Sequence, residues 1–149
     1  MAEPRFRVVL EPADVIAAVR QSDDQVYGDS SRPDLPSAYY LLLYEIDGQS
    51  FAYYPTRAEH LLSDLLFELG VFSAGLSHDI RVTGYPILVA RVRNGLVDFV
   101  DVTLVREPPV HAAAVPLQEV ISQLRVGVDE LVAVLRARQS RVLGDFGLL

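Results

Sequence analysis

The stretch VRNGLVDFVDVTLV, residues 92–105, decides the fold. Asn94-Gly95 supplies two adjacent residues that accept positive φ, as a type I′ turn requires. Apolar residues alternate on both sides of it, and ILVARVRNGLVDFVDVTLV (87–105) reads as a β-hairpin. A two-residue turn imposes one register: Val92 opposite Val97, Arg91 opposite Asp98, Ala90 opposite Phe99, Val89 opposite Val100, Leu88 opposite Asp101.

Asp98 and Asp101 are three apart, so strand alternation sends them to opposite faces. Asp98 meets Arg91 across the hairpin, which predicts an ion pair. Asp101 faces Leu88, among Val97, Phe99, Thr103 and Val105, with no charge partner in the local register. Burial of such a carboxylate is costly and raises its pKa. Asp101 is therefore a candidate acid or base. Two bland arrangements compete with that reading. A bulge between 98 and 101 turns both carboxylates to solvent, or an arginine of the last helix pairs with Asp101.

An earlier hairpin, the first in chain order, lies in AYYLLLYEIDGQSFAYYP (38–55), turned at Asp47-Gly48. It sets Tyr44 opposite Phe51, Leu42 opposite Tyr53 and Leu41 opposite Tyr54. Five of the seven tyrosines lie here. Tyr40, Tyr44 and Tyr53 share a face with Leu42 and Phe51, a surface suited to a pocket wall or an interface. Packing alone accounts for them equally well.

Around the hairpins the sequence predicts helices and loops. RFRVVL (5–10) reads as a strand, and Pro12 opens a helix over 12–21. SDDQVYGDSSRPDLPS (22–37) has turn residues without periodicity and reads as a long polar loop. TRAE (56–59) is a capping box for a helix that Gly70 ends, with Leu61, Leu62, Leu65, Leu66 and Leu69 on its buried stripe. REPPVHAAAVP (106–116) breaks the pattern with prolines. Pro116 opens the longest helix, whose apolar spacing runs through Gly127 to about residue 139, and 144–149 is a tail. Gly127 marks a kink or a close helix contact, since glycine there costs roughly 1 kcal/mol against alanine. Each hairpin precedes an amphipathic helix. The expected fold is one α+β domain over 1–149: a mainly antiparallel four- to six-stranded sheet, built from two hairpins and an N-terminal strand, covered on one face by helices.

Composition excludes several functions. The chain of 149 residues carries a net charge of −7, which repels phosphate backbones and disfavours nucleic-acid binding. All 13 basic residues are arginine, so Schiff-base and phosphate-loop lysines are excluded. No cysteine is present, which suits a cytoplasmic setting. No apolar run is long enough to cross a membrane. His60, His78 and His111 lack metal-ligand spacing, and no glycine-rich phosphate loop occurs. No metal or cofactor is expected.

Two functions remain. The first is a non-catalytic, acidic protein-interaction module of the inhibitor, immunity or assembly type. It would bind a protein partner or a second copy of itself through Tyr40, Tyr44, Phe51, Tyr53 and Arg91. The second is a small-molecule site or small enzyme with a pocket between sheet and helices, using Asp101 and His78.

Overall fold

The computed structural model describes residues 3–13, 39–52, 55–82, 85–102, 111–137 and 142–148. The α+β class and the antiparallel pairing are present, as two four-stranded sheets each followed by a helix. In the first sheet β1 (Phe6–Pro12) pairs with β2 (Tyr39–Ile46), which also pairs with β3 (Gln49–Ala52) and β4 (Thr56–Arg57). Helix α1 (Ala58–Ser73) follows. The second sheet is a meander of β5 (His78–Val82), β6 (Tyr85–Arg93), β7 (Leu96–Asp101) and β8 (His111–Pro116). Helix α2 (Leu117–Ala137) and the short α3 (Val142–Asp145) complete the order.

Both hairpins turn where expected. Asp47 and Gly48 have φ of 49° and 78°, and Asn94 and Gly95 have 53° and 75°. The β6–β7 register is the one read from the sequence, from Val92 opposite Val97 to Leu88 opposite Asp101. In the first hairpin Tyr44 sits opposite Phe51. The expected positions of Tyr53 and Tyr54 lie outside the described residues.

Several local expectations are corrected. Leu43 opposite Ala52 would continue to Tyr40 opposite Pro55, but Tyr40 pairs with Thr56. One extra residue on the return strand draws Thr56 into pairing, so it cannot cap the helix. Arg57 is the N-cap, with extended backbone and no side-chain cap bond. Glu59 does not reach back; its Oε2 lies 3.7 Å from the buried Arg57 Nε. Gly70 lies inside α1, and the helix stops at Gly75, with φ of 74°. There the Gly75 N–H bonds the Phe72 carbonyl at 2.9 Å and the Leu76 N–H bonds that of Val71 at 3.1 Å. This pair closes a helix end. Pro12 ends β1 rather than opening a helix; residues 14–21 of that predicted helix and the loop 22–37 lie outside the described residues. The segment 106–116, read as a break, contains β8, an edge strand that tolerates a terminal proline.

β8 carries a bulge. Val97 faces Val115 and Phe99 faces Ala112, so Ala113 and Ala114 together oppose Asp98. Ala114 has φ of 56°, a conformation that alanine adopts only when its surroundings impose it. The Asp98 carboxylate accepts the Ala114 N–H at 2.7 Å. That corrects the ion pair expected with Arg91: the two are opposite in register, but Asp98 serves the bulge. From the other side Arg5 donates to the Ala113 carbonyl at 2.9 Å and the Ala114 carbonyl at 3.1 Å. Arg5 also grips both Asp47 oxygens, at 2.7 and 2.8 Å. One guanidinium thus ties the turn of the first sheet to the edge of the second.

The inner faces of both sheets and the apolar stripes of both helices form a single core. Phe6 stacks on Phe99 at 5.4 Å and meets Tyr44 at 5.2 Å, joining the two sheets. The buried stripe of α2 runs from Leu117 through Val120, Leu124, Val128 and Leu131 to Leu135. Leu143 and Leu148 return the tail to this core. Gly127 marks a close contact: a methyl group there would lie 2.8 Å from Val8 Cγ1 and 3.1 Å from Leu65 Cδ1.

Two predictions follow from this packing. Gly127→Ala gains helix propensity of about 1 kcal/mol but drives a methyl into Val8, at a cost of roughly 1–3 kcal/mol. Urea unfolding is expected to show a stability equal to wild type or lower by up to about 2 kcal/mol, never the gain that an open helix site gives. The second concerns pH. The Arg5 hydrogen bonds hold Asp47 below its ordinary pKa of 3.8. A lowered folded pKa gives stability that is present above the unfolded value and lost as pH falls through the folded one. Asp47→Asn, which keeps a residue tolerant of positive φ, is expected to flatten the fall in melting temperature below about pH 4.

Candidate functional site

A cleft of about 640 Å³ opens between α1 and the start of β5. Its helical wall is Ser63, Asp64, Phe67 and Glu68. Asp64, Phe67 and Glu68 stand at i, i+3 and i+4, so they share one face of the helix. Ser77, His78 and Asp79 form the facing wall, and Arg91 stands at its end on β6.

Each side chain has a definable constraint. Glu68 is buried, and the Tyr44 hydroxyl donates to its Oε2. Tyr44 is itself fully buried, reaching from β2 to Glu68 behind the cleft wall. Asp64, one turn earlier, is exposed by area, yet its carboxyl is partly buried in the cleft wall. That burial raises its pKa, and the nearby His60 offsets part of the rise. The Phe67 ring is 63% exposed, which is unusual for so large an apolar group. It meets His78 edge-on at 5.6 Å, and Phe72 also meets His78 edge-on, at 6.0 Å. Ser77 Oγ accepts the Val92 N–H at 2.9 Å, which fixes the start of the facing wall. Arg91 makes no ion pair among the described residues. Three carboxylates beside an exposed aromatic ring can hold a cationic group, through charge and through the face of the ring.

The residues singled out in the sequence are distributed unevenly about this cleft. His78 and Arg91 line it. Tyr44 and Phe51 are core residues, 0% and 2% exposed, and Tyr44 acts on the cleft only through Glu68. Tyr40 is half-buried against the core. Tyr53 lies outside the described residues. Asp101 is buried at 5% exposure and is not without a partner, though none stood in the local register. It shares the inner sheet face with His78, but two strands away, about 10 Å at ordinary strand spacing. The cleft does not bring these two together.

Asp64, Phe67, Glu68 and Asp79 were not singled out in the sequence. One signal was present. Two carboxylates four apart on a helix repel each other, and Phe67 between them is a large apolar residue away from the leucine stripe. Pairing with β5 across the cleft had no local signal.

Comparison with known protein families, curated proteins and solved structures finds no match. Among the described residues no helix is long and apolar enough to cross a membrane, and no three acidic or histidine side chains are placed to hold a metal ion.

Because burial raises Asp64, ionising it opposes folding. A carboxyl whose folded pKa lies above its unfolded value binds protons more tightly when folded, so stability falls as pH rises through that window. Asp64→Asn is expected to raise the melting temperature at pH 7 and to leave it unchanged below pH 3.8, the ordinary carboxyl value. An unchanged melting temperature at both pH values would show a solvated Asp64.

Proposed function

We propose that this chain is a non-catalytic interaction module whose cleft between α1 and β5 takes a basic segment of a protein partner. The observation that carries this reading is the lining itself: three carboxylates, Asp64, Glu68 and Asp79, against one arginine, Arg91, on two walls around an exposed Phe67. The net charge of −7 adds long-range attraction for a basic partner and speeds its approach. A small-molecule site built on Asp101 has less support, since that residue lies off the cleft lining. The cleft is open to solvent, which suits a chain segment better than a small ligand needing enclosure.

The test uses a short fluorescein-labelled peptide of arginine pairs separated by single valines, titrated by anisotropy. Binding is expected, weakening as salt is raised. Asp64→Asn and Asp79→Asn are each expected to weaken it by about three- to fivefold, the effect of one exposed ion pair. Equal binding of the matching glutamate–valine peptide, or indifference to both substitutions, would refute the proposal.

A further inference from the structure

We infer that the basic segment binds as an added β-strand, pairing with the open edge of β5 at residues 77–80. This rests on the reading of the cleft given above and adds the conformation in which the partner is held.

The two edges of the second sheet differ. At β8, Arg5 takes the carbonyls of Ala113 and Ala114, and Gln49 Oε1 accepts the His111 N–H at 3.4 Å. The turn region of the first sheet thus covers that edge. β5 lies at the other end of the strand order, and among the described residues no strand pairs with its outer side. Ser77, His78 and Asp79, at the start of that edge strand, line the cleft.

Hydrogen-bond parity identifies which groups point there. In a hairpin with a two-residue turn, the residues flanking the turn form the first hydrogen-bonded pair, here Arg93 and Leu96. Alternation then directs Arg91 and Val89 to β7, and Val92, Ala90 and Leu88 to β5. The Val92 N–H does reach that side, at Ser77 Oγ. Ala90 and Leu88 sit opposite His78 and Ile80, so His78 and Ile80 bond inward to β6. Asp79, between them, directs its backbone N–H and C=O to the open edge. Unpaired edge groups of this kind are a template for another strand. The register slips between Ile80 and Arg81, which ends the flat part of the edge and limits pairing to a short span.

Charge specifies the occupant. Side chains of an added strand alternate between its two faces. Those on the inner face meet Asp64, Glu68 and the Phe67 ring; those on the outer face meet Asp79. Arginine or lysine at successive positions therefore finds a carboxylate on either side.

Two comparisons with the arginine–valine peptide test the pairing. Methylating every backbone nitrogen in the peptide's centre keeps its charge and removes the N–H donors of both its edges, whereas methylating alternate ones would leave one edge free to pair. A loss of affinity of more than about tenfold is expected. In the protein, Asp79→Pro removes both the carboxylate and the edge N–H, while Asp79→Asn removes only the charge. The proline variant, confirmed folded by circular dichroism, is expected to bind at least about fivefold more weakly than the asparagine variant. Amide exchange of Asp79 is expected to slow on peptide binding. Undiminished binding of the methylated peptide would overturn strand addition and leave the acidic-cleft reading standing. Failure of the unmodified peptide to bind would overturn both. If the free protein is a dimer that Asp79→Pro converts to a monomer, the edge is occupied by a second copy, and the inference falls in favour of self-association.

Discussion

Helix α2 crosses β1 at Gly127 with no room for a side chain between them. Val8 of β1 and Leu65 of α1 both close on that point. The crossing brings together an early strand, the middle helix and the last long helix. It sets the depth at which α2 lies, and so whether its stripe from Leu117 to Leu135 is buried. The neighbouring aromatic contact of Phe6 with Phe99 and Tyr44 then holds the two sheets against each other. Interiors at native density transmit such a constraint, because nothing in them yields without opening a void.

Charge is arranged in two contrasting ways. Near the chain start, Arg5, Asp47 and Asp98 close a network on backbone groups of the β8 bulge. Glu119 of α2 joins it by accepting the Arg5 and Phe6 N–H groups at 3.1 and 3.3 Å. Every charge there has a structural use, including support of an alanine at positive φ. At the other end of the second sheet the cleft sets Asp64 across from Asp79 and Arg91, around an exposed phenyl ring. Glu68 of that group is anchored from within, by Tyr44. A network satisfied internally stabilises the fold; one left facing solvent is available to a partner.

The fold class, both turns and the second hairpin's register were legible in the sequence, down to Leu88 opposite Asp101. The stripe of α2 and the special role of Gly127 were legible too. The helix boundaries of α1 were not. Thr56 and Gly70 carry ordinary cap and stop signals, but strand pairing captured the first, and packing of Phe72 carried the helix past the second. β8 was hidden by the prolines of the sequence 106–116 and by a bulge that needs Asp98 and Arg5 to hold it.

The division between the two follows from range. Turn dihedrals, strand alternation and helical spacing depend on residues a few positions apart, and these the amino-acid sequence determined by itself. The tertiary structure alone decided which carboxylate is anchored, which is buried and which faces a cleft. It set Tyr44 under Glu68, drew Asp98 away from Arg91 to the β8 bulge, and placed Asp64 and Asp79 on opposite walls. Those outcomes depend on distances between elements far apart in the chain, where a carboxylate's neighbours are chosen by packing rather than by sequence spacing.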